Sequence, residues 1–485
     1  MRVLFWFRQD LRIHDNPALA AAQRMAHQTG AHLETLFIAT PSQWHAHDLA
    51  PRRAQLLESR LNSLGEELAQ LAIPLHLLEV PSFAELPAQL LGWLTARSAP
   101  SEVALFANRE LPWDEVRRDR LVDHQLTAAG IPCHWFDERC LFVPGEINTG
   151  AGAMFQVFTP FSRAWLARLS QQGSAMAPAV QAQSGPELSW APISLNYPKL
   201  SCEGWPVSEQ AIRQRLWAFA QHQLSAYGER RDFPALAATS QLSPYLAMGA
   251  LSVRQCLAAM QAALGHLPLE RGEPGFAWLN ELIWREFYQH LLAREPRLAK
   301  GEPFKRAMAQ LAWQPDAARF AAWCAGQTGY PIVDAAMRCL NQTGWMHNRL
   351  RMIVASFLCK DLHQPWWWGE RYFMQQLLDG ELAANNGGWQ WSAGTGADAA
   401  PWFRIFNPTT QGQKFDPSGE FIRRYLPELA LVPLKQLHSP HAWLQAQGQA
   451  ASYPPPIVDH AIARQITLGL FQALTPPADH EADVS

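Results

Sequence analysis

Up to about residue 140 the chain alternates two kinds of stretch, and few folds accept that alternation. The runs RVLFWF (2–7), HLETLFIA (32–39), IPLHLLEV (73–80), SEVALFAN (101–108) and IPCHWFDE (131–138) read as buried strands. Between them, NPALAAAQRMAHQ, PRRAQLLESRLNSLGEELAQL, FAELPAQLLGWLTAR and VRRDRLVDHQLTAAG carry apolar residues at helical spacing. Strands separated by helices pair in parallel with helices on both faces, and ligands of such sheets bind at the carboxyl ends of the strands. No GxGxxG follows the first strand, which argues against a Rossmann dehydrogenase.

A chain of 485 residues exceeds what one core supports, so a second domain is expected. Residues 141–210 are rich in Pro, Ser, Gly and Ala from about 171 on and read as an interdomain linker. From 211 to 474 strand signals almost vanish, and SEQAIRQRLWAFAQHQ, SVRQCLAAMQAAL, PGFAWLNELIWREFYQHLLARE and YPIVDAAMRCLNQTG show helical spacing. The acidic residues 475–485 read as a frayed tail. The expected architecture is therefore an N-terminal α/β doubly wound parallel sheet (1–140) followed by an all-α domain (211–474).

A net charge of −3 gives no global signal for a polyanion, so any nucleic-acid site must be a local basic patch. Seven scattered cysteines without a CxxC pair fit reduced thiols and argue against a metal cluster. No apolar run reaches the length of a membrane span, and a soluble cytoplasmic protein is expected. Trp is the unusual residue: 21 copies exceed what packing requires.

Three stretches carry residues that packing alone does not explain. In WLNELIWREFYQHLL, Glu281 and Trp284 share a helix face. In TGWMHNRLRMIVASF, Asn348, Arg349 and Arg351 interrupt an otherwise apolar helix, and Asn348 and Met352 share a face; buried polar groups of that kind need partners. Two such helices read as opposing walls of a cavity. The third stretch, 377–417, lacks periodicity and reads as a long functional loop, carrying Asp379, Glu381, Asn385, Asn386, Trp389 and Trp391 among glycines. A solvated turn would explain DGE but not two Trp beside glycines, where backbone can approach a flat ligand. Thr239, Ser240 and Ser243 lie around a helix start that suits either a plain N-cap or a phosphate.

Together FWFRQDLRIHDNPAL, TSQLSPYLAMG, NELIWREFYQHLL, GYPIVDAAMRCLNQTGWMHNRLRM and DGELAANNGGWQWSAGTGADAAPWFRIFNP resemble the photolyase/cryptochrome family, in order over nearly the whole chain. Within it the sequence is similar to bacterial class I photolyases, which split cyclobutane pyrimidine dimers in DNA. The resemblance implies FAD in the helical domain, held by Tyr227, Thr239, Ser240, Leu242, Ser243, Trp278, Glu281, Asn348, Arg351, Asp379, Glu381 and Asn385. Asn385 would face the reactive flavin nitrogen, and Arg351 would pair with Asp379. Catalysis would be light-driven electron transfer from reduced flavin to a flipped-out dimer. Trp284 and Trp391 would flank the dimer, Glu281 and Asn348 would bond its bases, and Met352 would close the pocket.

The same resemblance implies an electron relay through Trp389, Trp366 and Trp313, with Trp366 favoured among the three Trp of QPWWWGE. Arg231, Arg349, Arg404, Gln411 and Lys414 would contact damaged DNA, single- or double-stranded, alongside Trp284 and Trp391. A monomer is expected, with no membrane partner and no metal. The resemblance also implies an antenna chromophore: LPWDEVRRD stands where folate-binding relatives have an Asn–Glu pair, a departure from their pattern, and Glu115 and Lys300 would still hold methenyltetrahydrofolate, with a deazaflavin, another flavin or no antenna as the other readings. Gln241 stands where the family usually has Arg. The rival reading is a cryptochrome, a blue-light receptor using the same FAD pocket without repair. A photolyase for six-four lesions is a further rival that leans on a histidine pair, where this sequence has only His347 beside Met352.

Overall fold

The computed structural model describes residues 1–398 and 402–474; the tail expected at 475–485 lies outside the described residues. These residues form two compact units that do not follow chain order. One comprises Met1–Gly228, Thr239–Pro296 and Leu378–Ala383; the other comprises Glu229–Ala238, Arg297–Leu377 and the described residues from Ala384 onward.

All five expected strands form: β1 (Arg2–Phe7), β2 (His32–Ala39), β3 (Leu75–Glu79), β4 (Val103–Asn108) and β5 (Cys133–Phe136). They pair in parallel in the order β3-β2-β1-β4-β5. Val3 to Phe7 are all buried, which explains an apolar run without alternation. Helices α1 (Pro17–Thr29), α2 (Pro51–Ala69), α3 (Leu86–Thr95) and α4 (Trp113–Ala128) connect the strands. α1 starts where the Asn16 side chain accepts the Leu19 amide and Pro17 fits the first turn; it stops at Gly30, whose φ of 65° is left-handed.

The strand order reverses between β1 and β4, where a sheet of this kind offers a ligand crevice. Here the chain's own side chains occupy those strand ends. Asn108 donates to Asp10 Oδ2 at 2.6 Å and to Asn16 Oδ1 at 2.8 Å. The Trp6 ring lies 4.8 Å from the Arg8 guanidinium and 4.9 Å from that of Arg118. Asp119 and Glu110 pair with those arginines at 2.7 and 2.6 Å.

Residues 173–208 form no helix or strand, yet they are fastened to the α/β layer. Trp190 donates to Asn62 Oδ1 at 3.0 Å, and Lys199 meets Glu58 at 2.5 Å. Trp190 lies so close to α2 that a Cβ on Gly65 would sit 2.3 Å from its ring, so only glycine fits there. The first unit continues with α5 (Phe158–Gln172), α6 (Glu209–His222), α7 (Val253–Leu264) and α8 (Phe276–Arg294).

The second unit is helical. It contains α9 (Pro331–Thr343), α10 (Asn348–Ser356), a π-helical turn (Phe357–Asp361), α11 (Trp366–Gln376), most of α12 (Leu382–Ala393), α13 (Pro408–Phe415) and α14 (His460–Gln472). Its core gathers Trp323, Met337, Leu350, Phe357, Trp366, Phe373 and Trp389; each such side chain contributes about 1.5–3 kcal/mol by leaving water. The expectation of a loop over 377–417 is corrected: α12 and α13 occupy much of it. Gly387, Gly388 and Ser392 depress local helix propensity in α12, and tertiary bonds override it. Asn386 donates to Glu370 Oε1 at 2.9 Å, and Gln390 accepts the Phe304 amide at 2.7 Å. No helix of the described residues is long and apolar enough to cross a membrane.

Candidate functional site

In the first unit, α8 places Trp278, Glu281 and Trp284 on successive turns. Trp284 is partly exposed and stacks on Phe158 at 3.6 Å with ring planes 5° apart. Phe287 meets it edge-on at 5.8 Å. One ring face is thus backed by protein, which makes a stiff platform for a flat group. Trp278 is buried and lies 4.9 Å from Phe219, whose other neighbour is Tyr227 at 5.8 Å.

The Thr239–Ser243 stretch turns through Gln241, which adopts a left-handed φ of 50°. Leu242 follows in right-handed helical geometry, and successive residues of opposite hand form an anion-binding nest. Among the described residues, none of the amides of residues 239–243 donates to a backbone carbonyl. The hydroxyls do not cap the short helix at Ser243–Ala247: its N-cap is Leu242, with no side-chain cap bond. The plain N-cap reading is therefore corrected.

Asp379 and Glu381 are both buried. Burial alone would raise the Glu381 carboxyl, but Arg139 and Arg285 hold it below its ordinary value. Arg285 donates to it at 2.8 Å, and Arg139 pairs with the same oxygen. Arg53 donates to the Gly380 carbonyl, so three arginines grip the Asp379–Glu381 turn. The sequence reasoning missed all three; the one available signal was that two adjacent buried carboxylates need cations.

Cys140, Glu286 and His290 bring possible metal-ligating atoms within 4.8 Å of one another. Those atoms are already engaged. Glu286 accepts the Leu141 and Phe142 amides at 2.8 and 2.9 Å, and His290 Nε2 lies 2.9 Å from the Phe142 carbonyl. Burial keeps the Cys140 thiol protonated.

In the second unit, α10 brings Asn348, Arg349 and Met352 together: the Asn348 amide and the Arg349 guanidinium lie 4.0 and 3.9 Å from the Met352 sulfur. Arg349 also pairs with Asp232 at 2.9 Å and stacks over Phe415 at 4.4 Å, a ring that Lys414 shares at 5.1 Å. Asp232 is the partner that the misplaced arginine in α10 called for. Arg351 Nε donates to the Met346 carbonyl at 2.8 Å. His347 caps α10 by accepting the Arg349 amide at 3.1 Å, and burial holds its pKa down at about 4.

Asn385 donates from Nδ2 to the Glu370 carbonyl at 2.9 Å, a bond that does not use its side-chain oxygen. Trp389 is buried, and its indole N–H has no partner among the described residues. Its ring meets Phe373 at 5.0 Å and Trp323 at 6.0 Å. Trp367, not singled out in the sequence, touches both Trp366 (5.9 Å) and Trp313 (6.3 Å). Trp391 and Gln411 are partly exposed, Arg231 likewise, and Arg404 and Lys414 are exposed. Of the antenna pair, Glu115 belongs to the first unit and Lys300 to the second. Glu115 is buried 3.6 Å from His47, and burial beside Glu110 raises its pKa.

The two family descriptions that match are the FAD binding domain of DNA photolyase, over residues 278–473, and DNA photolyase, over residues 3–182. The chain belongs to the DNA photolyase family. Photolyase relatives align along almost its full length. The deoxyribodipyrimidine photo-lyase of Escherichia coli is 49% identical over 97% of this chain and 98% of its own. That of Vibrio cholerae is 47% identical over 97% and 99%. A solved class III photolyase from Agrobacterium tumefaciens superposes with a TM-score of 0.82 at 34% identity, covering 98% of this chain and 97% of that one. A Synechocystis cryptochrome superposes with a TM-score of 0.83 at 28% identity, covering 97% and 99%. Fold likeness therefore does not separate photolyase from cryptochrome; the identities fall on the photolyase side.

Proposed function

We propose that this chain is a light-dependent DNA repair enzyme that splits cyclobutane pyrimidine dimers. FAD held here in its reduced form would supply, on illumination, the electron for opening the cyclobutane ring and would be returned to that form when the electron comes back. The chain's own groups fit such a ligand: the amides of 239–243, which donate to no backbone carbonyl among the described residues, suit phosphates, and the Asn385 oxygen suits a protonated ring nitrogen. Tyr227, Thr239, Ser240, Leu242 and Ser243 hold the phosphates. Trp278, Glu281, Asn348, Arg351, Asp379 and Glu381 complete the cofactor set.

The observation that carries the repair reading is Trp284, with one face locked on Phe158 at 3.6 Å. A pyrimidine dimer must leave the duplex to react, which costs a few kcal/mol and less at a damaged site. Stacking on Trp284, with Trp391 as the second aromatic, offsets that by about 1–3 kcal/mol per base. Glu281 and Asn348 bond the bases, and Met352 presents a soft apolar surface to them. Arg231, Arg349, Arg404, Gln411 and Lys414 bind the strand without reading its sequence. Asp232 already compensates Arg349, so that residue offers DNA a held guanidinium and not a mobile one. The six-four rival leans on a histidine pair, and His347 is already occupied as the cap of α10.

Trp389, Trp366 and Trp313 relay electrons for photoreduction. For the antenna the reading stays with methenyltetrahydrofolate held through Glu115 and Lys300, with a deazaflavin or no antenna as alternatives. An extra near-ultraviolet band in the purified protein supports the folate, a blue band the deazaflavin, and no extra band the absence of an antenna. The protein works as a monomer in the cytoplasm, and its seven free cysteines fit that reducing compartment. The deciding assay mixes reduced enzyme with a dimer-containing oligonucleotide under blue light. Restored thymines in light, and none in darkness, support repair; no restoration in light supports the cryptochrome alternative.

A further inference from the structure

Lys360 is an unusual lysine: it is only 2% exposed, and it sits in the π-helical turn Phe357–Asp361. π-turns inside helical segments commonly mark functional positions. Three bonds radiate from this one. Lys360 Nζ donates to the Arg404 carbonyl at 2.9 Å. The Lys360 carbonyl accepts the Thr467 hydroxyl of α14 at 2.5 Å, and Asp361 meets His460 of α14 at 2.5 Å. The segment carrying Arg404 has a second anchor close by, because the Trp402 ring stacks on Phe471 of α14 at 5.7 Å and 12°. Between the anchors, Phe403 and Arg404 stay exposed.

We propose that Lys360 is a positioning residue for DNA binding, its ammonium clamping the Arg404 backbone so that the exposed guanidinium is held ready for a strand phosphate. The proposal rests on the reading of Arg404 as a phosphate contact. A buried ammonium is costly, and a chain that keeps one uses its directional, charge-assisted bond. Burial lowers the Lys360 pKa to about 8. The groups facing it are Cys359 and Asp361 on its own turn and Arg404 on the clamped segment, with His460 behind Asp361; His363 lies nearby, bonded to Thr467.

The test measures affinity of the FAD-loaded protein for a dimer-containing oligonucleotide across a salt series. Lys360→Met and Arg404→Ala should each weaken binding about fivefold and each lower the salt slope by about 0.9, the signature of one lost phosphate contact. The double variant should bind no worse than Arg404→Ala alone, because Lys360 acts through Arg404. Repair per bound dimer and the flavin spectrum should be unchanged in Lys360→Met. Wild-type affinity should also fall between about pH 7 and 9.5, as the ammonium is lost, and that fall should be absent in Arg404→Ala. This arm requires no Lys360 variant to fold. A normal Lys360→Met beside a weakened Arg404→Ala overturns the inference, as does additive loss in the double variant or a flat wild-type pH profile. A normal Arg404→Ala instead overturns the phosphate-contact reading itself.

Discussion

His347 gives the most quantitative prediction. It is 3% exposed and accepts the Arg349 amide at the start of α10. Burial, reinforced by Arg349 and Arg351, lowers its pKa from 6.5 to about 4. This is the reverse of a histidine that gains an acidic partner: the folded state resists the proton and the unfolded state accepts it. Its stability term is therefore fully present above about pH 6.5 and is lost as pH falls toward 4. A shift of that size corresponds to about 3 kcal/mol across the window. His347→Asn keeps a side-chain acceptor at the N-cap and removes the titration. Proton uptake on unfolding suits a protein of two units, since it needs no two-state transition. Near pH 5.2 the unfolded histidine is almost fully protonated and the folded one almost fully neutral, so wild type should take up about 0.9 proton more than the variant. Equal uptake, or parallel stability losses from pH 7 to 4, would refute the assignment.

Three further outcomes follow from the site. Glu281→Ala should lower the repair yield while FAD stays bound, and an unchanged yield removes its role. Trp284→Ala should weaken binding of a dimer oligonucleotide by about 1–3 kcal/mol, one base stack, in titrations where undamaged DNA shows little change. Gly369→Ala places a Cβ 2.1 Å from the Trp389 ring and 2.7 Å from Leu358. Displacing Trp389 should slow flavin photoreduction under continuous light but spare repair by enzyme already reduced, and normal photoreduction would count against Trp389 as the first relay.

The strands and most helices were readable because burial leaves a local trace. Val3 to Phe7 are buried on both faces and appear as an unbroken apolar run. α12 left no such trace, since its order comes from Glu370 and Phe304, bonded to its Asn386 and Gln390 from elsewhere in the chain. Site residues divide along the same line. Asn348 and Met352 were readable from spacing four apart on one helix, and they do converge in α10. Their supports were not readable, because they come from remote positions: Arg349 meets Asp232 across 117 residues, and Arg139 meets Glu381 across 242.

A buried charge in sequence announces that a partner exists without saying which one. For Arg349 the partner's identity changes the chemistry. An uncompensated arginine would be a mobile phosphate ligand. One paired to Asp232 and stacked on Phe415 loses little freedom on meeting DNA, and part of its charge is already neutralised. Asp232→Asn should therefore strengthen nonspecific DNA binding and steepen its salt dependence, while loosening Arg349 enough to reduce preference for dimer-containing over intact strands. If instead the variant binds both strands less well, Asp232 acts by orienting Arg349 and not by restraining its charge.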